Sequence, residues 1–154
     1  MSEETFSISI PADADGYILL QCEHCGEFFK LRAEDINDEG LFHIFCPACG
    51  LTSESYITAD VLELVNNKAL NYAMDTFFDA FKEMERKSRH SSIQIKAGKK
   101  PKHLQEDPIR SGIDELSITY FQCCHRAAKV KPLLKFTGCY CPFCGVKDYE
   151  TESQ

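Results

Sequence analysis

The sequence predicts an α+β fold in which small β units near both ends of the chain flank a long α-helix. Three observations lead to this prediction. Pairs of cysteines separated by two residues occur in both end regions, and short apolar segments of strand length adjoin them. Between the ends, residues 59–88 have the apolar spacing of an amphipathic helix. A chain of 154 residues has room for one ordinary domain or two small ones.

Four cysteines in residues 1–57, the predicted N-terminal segment, have the spacing of a metal site. They form Cys22-x2-Cys25 and Cys46-x2-Cys49. Two intervening residues let one tight turn direct both sulfurs at the same point, so two such turns supply a tetrahedral set of four thiolates. Gly26 and Gly50 follow the pairs, where positive φ turns backbone N–H groups towards the sulfurs. We therefore predict a structural zinc site here.

Apolar segments around these cysteines predict the strands of a zinc ribbon, whose small core depends on its metal. The predicted strands are residues 6–10, 17–20 and 28–31, with 55–57 as a candidate to close the sheet. Residues 34–40 are predicted to form a polar loop. His24 and His43 lie in the same region, but four cysteines already complete the site, so we expect neither histidine to bind metal.

Residues 58–89 form the predicted helical segment. Apolar side chains recur along it at spacings of four, three, four and three: Leu70, Met74, Phe77, Phe81 and Met84. Ala73, Phe78 and Ala80 widen this stripe, which favours a core helix that bridges the two ends of the chain. The alternatives are a homodimer through the helix, and a break at residues 66–67 that divides the helix in two.

The second half of the chain is basic within an acidic protein. The formal net charge is −7, yet residues 82–154 carry fourteen bases against nine acids. Residues 90–116 form a predicted basic linker. The candidate phosphate contacts are Lys96, Lys99, Lys100, Lys102, Arg126 and Lys129. A solvated loop is the favoured interpretation, and contact with nucleic acid is the alternative.

Residues 117–154, the predicted C-terminal segment, repeat the opening architecture. A strand is predicted at 118–121, and Cys141-x2-Cys144 is followed by Gly145. The residues from Cys25 to Leu31 align with those from Cys124 to Val130, including a lysine at the same position, which indicates a diverged internal duplication.

The second metal site lacks one expected cysteine, because Phe121 occupies the position equivalent to Cys22. Adjacent Cys123 is the first candidate to replace it, His125 the second and Cys139 the third. We predict a second structural zinc site, and hence two zinc ions per chain. Its ligands are Cys123, Cys124, Cys141 and Cys144.

The composition bounds the functional class. Nine cysteines, without a signal peptide or a long apolar run, favour metal binding, a cytoplasmic location and no membrane contact. Four-thiolate sites keep no position open for water, and the sequence has none of the common hydrolase or phosphate-binding motifs. We therefore predict a non-enzymatic adaptor that binds another protein.

Both ends resemble the zinc ribbons found in transcription factors and many small bacterial proteins. Residues 10–16, Ile-Pro-Ala-Asp-Ala-Asp-Gly, followed by Cys22-x2-Cys25 and Phe29-Lys30, resemble uncharacterised bacterial proteins with a zinc ribbon at each end. This resemblance implies the metal and the fold without a known activity. The Cys-Pro-x-Cys-Gly motif also resembles the iron site of rubredoxins, but the shorter loop between the pairs favours zinc. The alternative functions are a transcription-factor-like nucleic-acid-binding protein and a rubredoxin-like iron redox protein.

Overall fold

The computed structural model describes residues 5–109 and 112–149. It confirms the predicted α+β class, since short antiparallel strands precede and follow one long helix along the chain. The parts of the predicted segments outside the described residues are 1–4, 110, 111 and 150–154.

The chain forms two compact units. One comprises Met1–Ala59 together with Ile109–Gln154, and the other comprises Asp60–Pro108. The two cysteine-rich ends thus belong to a single unit. Whether the four predicted segments act as domains in their own right stays a prediction.

The N-terminal half of the first unit is built on a hairpin. Strand β1, Tyr17–Gln21, pairs antiparallel with strand β2, Phe28–Arg32, as the apolar runs predicted. The short helix α1, Ala33–Ile36, follows where a polar loop was predicted, so that prediction was wrong for residues 34–36. Acidic side chains suit its first turn, and the Asn37 side-chain amide donates to the Ala33 carbonyl oxygen at 2.8 Å.

Two predicted strands of the N-terminal segment are absent from the described residues. Residues 6–10 have no strand, and Phe6 is 48% exposed, so the alternating pattern does not bury one face. Residues 55–57 also form no strand, although the Gln21 N–H donates to the Tyr56 carbonyl oxygen at 3.0 Å.

The C-terminal half repeats this order of elements. Strand β3, Ser117–Tyr120, pairs with β4, Ala127–Val130, and helix α3, Pro132–Thr137, follows. A further pair, β5 at Cys139–Tyr140 and β6 at Lys147–Asp148, frames the last cysteine turn.

The two hairpins join into one four-stranded sheet with the order β1-β2-β4-β3. They meet where Lys30 pairs with Lys129, the two lysines that the internal duplication aligns. Phe29, Phe121 and Val130 are buried in the core beneath this junction. The two repeats therefore share one core.

All but the first residue of helix α2, Ala59–Ser88, belongs to the second unit, and the helix runs without the break considered at residues 66–67. The chain then returns along the helix in the opposite direction, without helix or strand, through residues 95–108, here called the return segment. At the start of this segment the Ile95 N–H donates to the Ser88 hydroxyl oxygen at 3.0 Å. Further along, the Leu104 N–H donates to the Asn71 side-chain oxygen at 2.7 Å. No helix among the described residues has the length and apolar character needed to cross a membrane.

Candidate metal centres

Four turns of the same backbone design carry the cysteines of the described chain. In each, the N–H of the fifth residue donates to the carbonyl oxygen of the first, at 2.8 Å for Gly26, Gly50 and Gly145 and at 2.9 Å for His125. The N–H of the first residue also donates to the carbonyl oxygen of the sixth, at 2.8–2.9 Å. The fifth residue has positive φ in every case, from 57° at His125 to 73° at Gly26 and Gly50. These bonds fix the direction in which each turn presents its side chains.

The first candidate centre brings together the four predicted cysteines Cys22, Cys25, Cys46 and Cys49. The sulfur–sulfur distances are 3.8 Å for Cys22–Cys49 and 3.6 Å for Cys25–Cys46, and all four sulfurs lie within 4.8 Å of one another. Four sulfurs held at about 2.3 Å from a tetrahedral zinc ion would be separated by about 3.8 Å. The donor set and its spacing therefore fit a four-coordinate metal ion.

The second candidate centre groups Cys123, Cys124, Cys141 and Cys144, again with all sulfurs within 4.8 Å. The Cys124 and Cys141 sulfurs are 3.6 Å apart. Of the three candidates for the fourth position, the structure brings Cys123 to the group. His125 ends its turn with an exposed side chain, and Cys139 lies buried in β5. Neither His24 nor His43 belongs to either group.

Burial favours the neutral thiol at several of these cysteines. Burial raises the pKa of Cys46 and of Cys141, although two backbone N–H groups point at each sulfur and oppose the effect. Burial likewise raises the pKa of Cys144 to about 11, and the neighbouring cysteines add to this shift. Four thiolates so close together repel one another, so a soft divalent cation is needed to hold them deprotonated.

The turn that begins at Phe121 departs from the other three. Phe121 is 1% exposed and packs in the core cluster with Phe29 and Leu31, in the place where the equivalent turn has a cysteine ligand. The backbone bonds of the turn remain intact despite this replacement. Two adjacent residues, Cys123 and Cys124, therefore supply both sulfurs from this side of the second centre.

Reciprocal contacts join the two centres. The Phe45 N–H donates to the Pro142 carbonyl oxygen, and the Tyr140 N–H donates to the Pro47 carbonyl oxygen, each at 2.9 Å. The aromatic rings of these two residues also make matching contacts. The Phe45 ring lies against Gly145, where an added Cβ would be 2.8 Å from it. A Cβ at Gly50 would meet the Tyr140 ring at the same distance. Each turn of this pair thus packs against the residue that precedes the other.

A shared ion-pair cluster lies at the junction of the two repeats. Asp13 accepts from Lys30 at 3.1 Å and from Lys129 at 2.8 Å, and Lys129 also binds Asp15 at 2.6 Å. Burial alone would raise the pKa of Asp13, but hydrogen bonds from Lys129, the Tyr17 N–H and Lys30 hold it well below its usual range. Sequence analysis missed this cluster, although the alignment of Lys30 with Lys129 was the signal that could have revealed it.

The predicted basic contacts differ in their environments. Lys100 pairs with Asp75 at 2.8 Å, and Arg126 binds Asp38 at 2.6 Å. The remaining lysines of the linker, Lys96, Lys99 and Lys102, have exposed side chains. The linker lysines belong to one unit, and Arg126 and Lys129 to the other.

Comparison with known proteins gives no family to which the chain can be assigned. The chain matches no protein family, no curated protein and no solved structure in these comparisons. The interpretation of the two centres therefore depends on their own geometry.

Proposed function

We propose that this chain is a zinc-binding, non-enzymatic interaction protein with two structural zinc ions. The observation that carries the proposal is the tetrahedral spacing of the four sulfurs in the first centre, at 3.6 and 3.8 Å between paired turns. Four thiolates fill the coordination shell of zinc and leave no position for a substrate or a reactive water. Such an ion stabilises a small fold and takes no part in a reaction.

Two features support a structural role for both ions. The sheet and the cysteine turns share one core, in which Cys22, Cys46 and Cys141 are fully buried. The second centre also offers four sulfurs and no carboxylate or histidine ligand. Structural zinc contributes apparent binding free energies of about 10–16 kcal/mol in small domains, enough to decide whether such a domain folds.

Elemental analysis of protein produced with both zinc and iron available tests the metal assignment. We expect close to two zinc ions per chain and a colourless preparation. A red preparation with iron in the same sites would favour the rubredoxin-like alternative, because four thiolates bind either metal. A matched Cys124→Ser variant should lose one zinc ion and keep the other. One zinc ion in the unaltered protein that Cys124→Ser also keeps would show that the second centre does not bind zinc.

Ion pairs within the chain weigh against a nucleic-acid partner. Lys100, Arg126 and Lys129 pair with carboxylates of the same chain, which leaves them less able to neutralise phosphates. The exposed lysines Lys96, Lys99 and Lys102 are the remaining candidates.

A salt series with duplex DNA separates these two functions. If nucleic acid is the partner, each phosphate neutralised adds about −0.9 to the slope of log affinity against log salt. Replacement of Lys96, Lys99 and Lys102 by glutamine would then make the slope shallower, whereas Lys87→Gln, whose lysine pairs with Glu83, would not. We expect no measurable binding even at ~50 mM salt, where such contacts are strongest.

A further inference from the structure

The apolar stripe of α2 contains a strict heptad pattern. Its five members, Leu70, Met74, Phe77, Phe81 and Met84, alternate spacings of four and three residues, as the two core positions of a coiled coil do. They span about 21 Å of the helix axis at about 1.5 Å per residue. A seam of this kind packs against a second helix that has the same repeat.

Four of the five seam residues are exposed in the part of the chain that the structure describes, and the fifth, Met74, is half-buried. Phe77 is 67% exposed, Phe81 50%, Leu70 52% and Met84 46%. These values contradict the expectation that the stripe is the buried face of a core helix. The return segment instead packs on the neighbouring face, where Asn71 and Asp75 contact it. Phe78, which widened the stripe in the sequence, is half-buried and has the Lys82 ammonium 4.9 Å from its ring centroid.

The exposed seam supplies much of the apolar area that a small dimer interface needs. An aromatic side chain carries about 150–250 Å² of surface, so Phe77 and Phe81 together expose on the order of 200 Å². The other seam residues raise this to on the order of 400 Å² per chain, within the range of about 300–600 Å² for the largest apolar patch on a monomer. Two such seams bury on the order of 800 Å² before any flanking side chain is counted, or about two thirds of the roughly 1,200 Å² found in small specific interfaces.

We propose that two copies of this chain associate through the α2 seam. Among the described residues, helices α1 and α3 have four and six residues and are too short to provide a matching heptad repeat. A second copy supplies an identical seam with the same spacing. The seam lies in a different unit from the cysteine centres, so this inference does not depend on the bound metal.

Sedimentation equilibrium of the zinc-loaded protein over a micromolar concentration series tests the proposal. We expect a concentration-dependent dimer, and a double variant, Phe77→Gln with Phe81→Gln, should weaken association by at least about tenfold, since two central apolar anchors are lost. The variant should keep its helical circular dichroism and its metal content. The matched control is Ile93→Gln, which replaces a side chain that is 76% exposed but lies outside the helix, and it should not change association.

A second measurement needs no variant. Hydroxyl-radical oxidation of Met84 and Phe77 in the unaltered protein should fall as concentration rises, because association covers both side chains. The proposal is overturned by a monomer at all concentrations, by a dimer that the double variant leaves unchanged, or by oxidation that does not vary with concentration.

Discussion

The two cysteine centres of this protein use the same backbone turns with different ligands. The first centre takes its sulfurs from the first and fourth residues of two regular turns. The second centre combines one regular turn with the turn in which Phe121 stands first and Cys123 third. Because all four turns keep the same hydrogen bonds, the turn itself does not require a cysteine at its first position. A ligand can therefore be relocated within the turn while the backbone stays unchanged.

The relocation alters the surroundings of one sulfur. In the regular turns, the sulfur of the first cysteine accepts from two backbone N–H groups, those of His24 and Cys25 for Cys22 and those of Phe143 and Cys144 for Cys141. Such outer contacts orient a ligand and strengthen its bond to the metal. At Phe121 the corresponding sulfur does not exist, and Cys123, the candidate ligand that takes its place, is exposed. We therefore expect the second centre to hold zinc less firmly than the first.

The largest expected effect comes from removal of a ligand at each centre. Cys22→Ser deletes a buried sulfur that accepts from two backbone N–H groups. Loss of a group that only hydrogen-bonds to a ligand already lowers metal affinity by about ten- to a hundredfold, so loss of this sulfur should lower zinc affinity at the first centre by more than about a hundredfold. Cys123→Ser also removes a proposed ligand, but affinity at the second centre should fall by a smaller factor than at the first, because the Cys123 sulfur is exposed. Competition with a chromophoric chelator measures both. Because the hairpins share one sheet, thermal unfolding of Cys22→Ser should remain a single transition, at a lower temperature.

A transplant variant sharpens this comparison. Phe121→Cys combined with Cys123→Ser places the second centre's ligands at the positions used in the first, and should slow zinc release to the chelator. The opposite order, with Cys123→Ser more damaging than Cys22→Ser, would contradict the ranking of the centres. Faster zinc release from the transplant variant than from the unaltered protein would also contradict this ranking.

The second prediction concerns the junction, where the repeats are unequal. Residue 112, which the duplication aligns with Asp13, is a glycine, so one carboxylate from the first repeat serves both Lys30 and Lys129. Lys30 is 2% exposed, and Asp13→Asn would leave its ammonium buried without a counter-charge. Loss of one partner from such a pair costs about 3–5 kcal/mol of unfolding free energy. Urea unfolding of the zinc-loaded protein at pH 7 measures this cost.

The pH condition follows from the lowered pKa of Asp13. A group with a lowered folded pKa stabilises the fold above its unfolded pKa, about 3.9, and loses this contribution as pH falls towards the folded value. The full contribution is thus present at pH 7 and should be constant from pH 6 to 8 by the same relation. Asp15→Asn is the matched control, since the exposed Asp15 should cost no more than about 1 kcal/mol. Equal losses in the two variants would show that the junction does not depend on Asp13.

Local patterns were sufficient for much of the fold and of the two centres. The runs before and after Cys22-x2-Cys25 predicted β1 and β2, and the periodicity of residues 59–88 predicted α2 with the ends that the structure shows. The spacing of the cysteines also predicted both groups of four that the structure brings together. These features depend on residues close together in the chain, where turn geometry and side-chain periodicity decide the outcome.

Contacts between distant segments were not predictable in the same way. The pairing of Lys30 with Lys129 and the reciprocal contacts of Phe45 and Tyr140 depend on how two repeats associate, which no local pattern specifies. The return segment looked like a solvated basic loop because its lysines gave no sign of Asp75 as a partner. The exposure of Phe77 was missed for a related reason, since periodicity identifies an apolar face without identifying what covers it.

The smallest expected effect concerns the fifth residue of two equivalent turns, Gly26 in the first repeat and His125 in the second. Both have positive φ, 73° and 57°, which an L-residue adopts at a cost of about 1–2 kcal/mol. A Cβ at Gly26 meets no atom within 4 Å, so Gly26→Ala should cost about 1 kcal/mol through the backbone alone. His125→Gly should remove the same strain energy. About 0.4–1 kcal/mol of this gain is lost again, because glycine has more conformational freedom in the unfolded chain.

The expected outcome is a pair of opposite shifts, with Gly26→Ala less stable than the unaltered protein and His125→Gly more stable by about 0.5–1 kcal/mol. Urea unfolding of the zinc-saturated proteins measures both, and the denaturant slope should not change. His125→Ala serves as the control, because it removes the imidazole but keeps the strained backbone and should leave stability nearly unchanged. If His125→Gly proved destabilising, the imidazole would have to stabilise the second centre by more than the backbone strain costs. The two turns would then differ in more than the position of one cysteine.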